Sequence, residues 1–242
     1  MLAWLSLRPG RRELALFAFA YALYSAGRFL AIGDMDVAVA NADDIVSLEQ
    51  SLGVDIERSV QVALQGSWLL WLLNHLYLAA QLVVVPGALV FIYHRSRPYY
   101  ELLRNTVLAT WLIALPIYAL FPVAPPRLAD VGLVDTITTQ TGLALDSKLT
   151  TAFYNPIAAV PSLHAGFAVA VSAALAAAAG SRLGAIAAWL WAPTVCLAVV
   201  ATGNHFVTDI AAGVVVTVVG YALGRAATRL STAEPRLAVA PA

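Results

Sequence analysis

Charge is what this chain has least of. Only 12% of its 242 residues are Asp, Glu, Lys or Arg, and the formal net charge is zero; soluble domains average about 25% charged residues. Zero net charge excludes the basic footprint that a nucleic-acid partner requires. Cysteine is nearly absent. Cys196 stands alone in an apolar run, so no internal disulfide can form and the residue reads as packing. No internal repeat of the kind found in many transporters is evident, which disfavours a transporter or a lipid carrier. What remains is apolar: 61% of the residues are hydrophobic. That much apolar surface exceeds what one soluble core can bury, so the chain reads as an integral membrane protein.

The apolar residues fall into runs that predict an all-α polytopic protein with six transmembrane helices, at about 14–32, 68–93, 102–121, 162–179, 183–201 and 206–223. The first run is longer than a signal-peptide core and lacks a clean cleavage site, so it reads as a retained helix. Segment 34–65 differs. Ile45, Val46, Leu48, Leu52, Ile56, Val60 and Leu64 recur at three- to four-residue spacing among Asp43, Asp44, Glu49, Asp55 and Glu57. This predicts one or two amphipathic helices on the membrane surface, broken at Gly53. Residues 1–225 then form one domain, and 226–242, without an apolar run, are expected to be a disordered cytoplasmic tail.

The basic residues orient the spans. Arg8, Arg11, Arg12, Arg95, Arg97, Arg104, Arg182, Arg225, Arg229 and Arg236 lie in segments on one side; Arg58, Arg127 and Lys148 lie on the other. The positive-inside rule puts both termini in the cytoplasm, of a plasma-membrane protein. Three polar clusters then share the extracytoplasmic face: 121–127 after span three, 160–166 opening span four, and 202–209 opening span six.

Each cluster carries chemistry. His205 and Asp209 lie one helical turn apart, so the carboxylate can hold one ring nitrogen and leave the other as a nucleophile or base. A structural pairing at a helix start is the alternative. Pro161 suits a first helical turn, Ser162 adds a hydroxyl, and such a helix start is an anion site. His164 in the same turn can protonate a departing alkoxide. Arg127 offers a forked guanidinium for phosphate oxygens, or else sits near lipid headgroups. Together these parts fit phosphoryl transfer without a cofactor. Two histidines and a carboxylate can also hold a metal, but the helix start and Arg127 already supply positive groups, so no metal is expected.

The elements Phe121-Pro122-Val123-Ala124-Pro125-Pro126, Pro161-Ser162-Leu163-His164-Ala165-Gly166 and His205-Phe206-Val207-Thr208-Asp209 resemble those of the type 2 phosphatidic acid phosphatase superfamily. More narrowly they resemble its inositol phosphorylceramide synthase-like (inositolphosphotransferase) branch. The resemblance implies that His205 attacks phosphorus to form a phosphohistidine, that Asp209 orients it, and that His164 protonates the leaving alcohol and then activates the acceptor. Ser162 and the adjoining backbone at Leu163 would hold the phosphate, and no metal would be needed. The substrates implied are phospholipids or polyprenyl phosphates in the bilayer, by head-group transfer or by plain hydrolysis. Two features depart from the broader superfamily: its first-motif lysine is missing, and Val199 stands where its third motif has an arginine. Arg127 is the candidate replacement.

Overall fold

The computed structural model describes residues 9–30, 34–143, 145 and 155–237; among these the chain is helical, with no strand. The helices are α1 (Pro9–Leu30), α2 (Met35–Leu52), α3 (Glu57–Leu64), α4 (Trp68–Ala79), α5 (Val85–Arg95), α6 (Arg97–Leu120), α7 (Thr136–Thr141), α8 (Leu163–Ala178), α9 (Arg182–Trp189), α10 (Trp191–Ala201) and α11 (Val207–Leu237). Short polar side chains start several of them. Asp34, Ser67, Asp135, Ser162 and Ser181 each accept an N–H of the first turn, which satisfies one of the donors a helix start leaves open.

Proline marks the irregularities. α4 and α5 form one continuous rod through a π-helical turn, Ala80–Val84. Pro86 lacks the N–H that would bond to the Leu82 carbonyl, so the rod widens one turn earlier. Pro193 acts likewise on α9 and α10, which join at Leu190. The Gly53 break is present: Gly53 caps α2 in the left-handed conformation, φ 67°.

Among the described residues, four helices are long and apolar enough to cross a membrane: Trp68–Arg95, Arg97–Leu120, Arg182–Ala201 and Val207–Arg229. Two of the six expected spans are not among them. α1 carries Arg11, Arg12 and Glu13 at its start, and α8 has only 16 residues. The outward faces of the rods stay apolar: Leu82, Phe91, Leu112, Leu183 and Val215 are all well exposed. A soluble monomer rarely exposes so continuous an apolar surface. α11 runs to Leu237, well past Arg225, where the sequence suggested a disordered tail. Ala226 and Ala227 favour helix, and Thr228 accepts a hydrogen bond from Asn105 of α6 at 3.0 Å. Residues 238–242 lie outside the described residues.

α8 sits at the centre, against α6, α10 and α11. Phe167, Val171 and Leu163 of α8 pack with Val107, Tyr118 and Ile92 in the main core. The approach of α8 to α11 is backbone to backbone. A Cβ on Gly213 would overlap the carbonyl oxygen of Ser162, and one on Gly166 would overlap Thr217. Small residues at these positions let the two helix starts meet.

The connecting segments converge on the same end. Val123 and Ala158 form a parallel bridge in which Val123 N–H donates to Ile157 and Ala159 N–H donates to Val123, at 3.0 and 3.1 Å. Segment 34–65 closes over this end as two helices, α2 and α3. Asn41 donates to the Pro122 carbonyl at 2.7 Å. Gln61 holds Val134 by both its amide nitrogen and its oxygen, at 3.0 and 2.9 Å, and also reaches the Ala201 carbonyl.

Candidate active site

The end of the bundle where α6 stops and α8 and α11 begin holds a cavity of about 790 Å³. His164, His205, Arg127 and Leu163 all line it, with Asn204 beside them. Its remaining wall is largely apolar or aromatic, including Tyr77, Leu82, Trp111 and Tyr118.

His205 stands on the turn between α10 and α11. Gly203, at φ 69°, makes that turn, and its carbonyl accepts the Arg127 N–H at 2.9 Å. A side chain at Gly203 would be strained and would press on Val134 and Gln61. The Nδ1 atom of His205 lies 2.9 Å from the Ala159 carbonyl oxygen and 3.2 Å from Asp209 Oδ2. Both neighbours are acceptors, so Nδ1 carries the proton and Nε2 keeps its lone pair. Burial lowers the imidazole pKa to about 4. The hydrogen bond to Ala159 opposes this, and the nearby Arg127 charge adds to it. His205 is therefore neutral at physiological pH.

Asp209 is fully buried. Its Oδ2 also accepts the Phe206 N–H at 2.8 Å, and its own carbonyl accepts the Ser162 N–H at 3.0 Å. One residue thus joins the start of α11 to the start of α8. The second link is the Gly213 contact, and together they bring both sequence motifs to one place.

His164, in the first turn of α8, stacks on Tyr77 of α4 with ring centres 4.2 Å apart and planes 18° apart. Its ring centre is 5.9 Å from that of His205. At this spacing both imidazoles reach one phosphoryl group seated between them. Ser162 is placed differently from the sequence expectation. Its hydroxyl oxygen accepts the Ala165 N–H at 3.3 Å as the cap of α8, and the residue is buried outside the cavity wall. Pro161 precedes that cap instead of occupying the first helical turn, and its carbonyl accepts the Tyr118 hydroxyl at 2.8 Å.

Arg127 is buried beside the histidines. Its Nε donates to Asn204 Oδ1 at 3.0 Å, and Nη1 lies 3.5 Å from Asp135 Oδ2. The Asn204 amide nitrogen is engaged by Thr202, at 2.9 Å to the hydroxyl, which turns the Asn204 oxygen toward Arg127. Sequence did not single out Tyr77, Asn204 or the pair Glu49 and Glu57. The pair accepts the Thr208 and Val207 N–H groups at the start of α11. Asn204 adjoins His205 in the chain and was within reach of inspection. The others come from distant helices and left no local signal. Among the described residues, no three His, Cys, Asp or Glu side chains converge as a metal would need.

A family model of the PAP2 superfamily matches residues 43–223, most of the chain and all of this site. The protein belongs to the PAP2 superfamily. Members of this superfamily are typically phosphatases, which makes the chain an enzyme of membrane lipid phosphatase or phosphotransferase type. No curated protein and no solved structure gives a significant match. The PAP2 match begins at residue 43, so it takes in most of α2 together with the α8 and α11 motifs.

Proposed function

We propose that this PAP2 protein transfers a phosphate-bearing head group between lipids through a phosphohistidine on His205. The observation that carries the reading is the double hold on His205 Nδ1, from the Ala159 carbonyl and Asp209, in a cavity also lined by His164 and Arg127. The lone pair of Nε2 attacks phosphorus, and the bond from phosphorus to the leaving oxygen breaks. His164 gives its proton to that oxygen, so a neutral alcohol departs. His164 then takes a proton from the acceptor hydroxyl as its oxygen attacks phosphorus, and the bond to Nε2 breaks. Arg127 and the backbone at Leu163 neutralise the phosphate oxygens, while Ser162 serves the site by capping α8. No step calls for a metal or other cofactor.

Several features support the finer reading. Val199 and the missing first-motif lysine accord with the inositolphosphotransferase branch, with an inositol phosphate-like head group. The cavity of about 790 Å³ has room for more than one lipid head group. We also infer six crossings, α1 and α8 included, with α2 and α3 lying at the interface. Both termini are then cytoplasmic and the site opens to the extracytoplasmic side of the plasma membrane. The domain comprises residues 1–225, followed by the helical extension of α11.

Hydrolysis is the second reading, and the phosphatase character typical of PAP2 members favours it. The two share the phosphohistidine half and differ in whether water or an alcohol resolves it. Mass spectrometry of products from a mixed lipid extract, incubated with the purified protein in chelator, separates them. A new phospholipid means transfer, and free phosphate alone means hydrolysis. Full activity in His205→Ala would remove His205 as the nucleophile, and activity that needs an added divalent cation would overturn the cofactor-free chemistry.

A further inference from the structure

Three successive N–H groups open α11, and each ends on a different carboxylate. Phe206 donates to Asp209 at 2.8 Å, Val207 to Glu57 Oε1 at 2.8 Å, and Thr208 to Glu49 Oε1 at 2.7 Å. The Thr208 hydroxyl adds a second bond to Glu49 at 2.9 Å. Glu49 and Glu57 come from α2 and α3, and they are only 1% and 5% exposed. A helix start leaves four N–H donors open and a single cap satisfies one. Here two more are met by acids imported from a separate segment and buried beside Asp209.

The two glutamates stand close enough that the charge of Glu57 acts on Glu49, and a nearby like charge disfavours ionisation. The ionisable groups facing the pair are each glutamate itself and, from α11, Asp209. Burial first, and the Glu57 charge after it, push the Glu49 pKa up to about 7.

We propose that Glu49 and Glu57 are positioning residues for His205: they seat the first turn of α11 from outside and hold negative charge behind Asp209 that sustains the nucleophilicity of the imidazole. The role of His205 rests on the phosphohistidine reading above; the placement of the glutamates does not. As the pH rises through about 7, Glu49 ionises and adds negative charge next to the His205–Asp209 unit. Segment 34–65 then belongs to the enzyme's working parts.

The test uses the full chain in detergent, as wild type and as Glu49→Gln, Glu57→Gln and Glu49→Ala. The first readout is the rate at which diethyl pyrocarbonate carbethoxylates His205, followed by peptide mass spectrometry across pH 5.5–8.5, a range of about 1.5 units either side of the expected inflection. The second is kcat and KM for dioctanoyl phosphatidylinositol and dioctanoyl phosphatidate. Thermal unfolding monitors the fold. The wild-type profile should show an inflection near pH 7 that Glu49→Gln abolishes. Glu57→Gln and Glu49→Ala should lower His205 reactivity and kcat about fivefold, the size of one charge acting at a helix end, with KM unchanged. Wild-type reactivity and pH profile in both Gln variants would overturn the proposal, and those isosteric variants decide it even if Glu49→Ala does not fold. If the wild-type protein turns over neither lipid, the functional reading is what has failed, and the carbethoxylation profile still decides the role of the glutamates.

Discussion

Asp209→Asn tests how His205 is held. In a Ser-His-Asp triad the same change leaves the imidazole in the wrong tautomer and lowers kcat by about 10⁴. Here the Ala159 carbonyl also accepts from Nδ1, at 2.9 Å against 3.2 Å for Asp209. A backbone carbonyl survives any side-chain substitution, so the tautomer should persist. The asparagine oxygen can still accept from Phe206 and His205 in the place of Oδ2. Its amide then falls where Oδ1 now sits, buried and without a hydrogen-bond partner. What is lost is the charge. A hydrogen bond to a charged group contributes about 1.5–3 kcal/mol and a neutral one about 0.5–1.5, a difference of about 1–2 kcal/mol, or roughly 5–30-fold in rate. Single-turnover formation of phosphohistidine from a labelled short-chain lipid phosphate measures this directly. A loss near 10⁴ would mean that Ala159 does not fix the tautomer. An unchanged rate would mean that Asp209 acts only as a structural tie between α8 and α11.

Other outcomes follow from the same geometry. His164→Ala should slow turnover of alkyl phosphate esters by at least about 10²-fold and spare p-nitrophenyl phosphate, whose leaving group needs no proton; equal losses on both would deny His164 the acid role. Gly213→Ala should lower the thermal midpoint, because its Cβ overlaps the Ser162 carbonyl and overpacking of this kind costs about 1–3 kcal/mol. Differential scanning fluorimetry in detergent would show no shift if α8 and α11 were not so closely apposed. Since the neutral imidazole is the reactive form and burial lowers its pKa to about 4, phosphohistidine formation should persist down to about pH 4 and fall only below it. An acid limb centred near the ordinary histidine value of about 6.5 would contradict that burial. Tyr77→Phe should retain turnover and Tyr77→Ala lose about 2–13-fold, since His164 stacks on the ring and such contacts contribute about 0.5–1.5 kcal/mol.

The fold was legible wherever apolar runs were long and bounded by proline or arginine. The rods 68–95, 97–120 and 182–201 correspond to runs read directly from hydropathy. α8 was legible as an apolar helix but is short for a span. Past Arg225, Thr228 of α11 is held by Asn105 of α6, and hydropathy records no such tertiary bond. Within the site, the spacing of His205 and Asp209 announced a pair, but their second anchors did not show. Ala159 acts through its backbone, which no residue type reveals. The Ser162 hydroxyl was assigned to phosphate because capping and anion binding use the same residue at the same helix position. Glu49 and Glu57 resembled the polar face of a surface helix; only the packing of α2 and α3 against Val207 and Thr208 gives them partners.

The bridge between Val123 and Ala158 has a mechanical corollary. Residues 121–127 carry Arg127 at one end, and Ala159, which holds His205, follows directly on the bridged strand of chain. Two backbone hydrogen bonds therefore fasten the segment that carries Arg127 to the carbonyl that holds His205. Guanidinium and imidazole are anchored to one rung of backbone, so a shift of either segment is passed to the other.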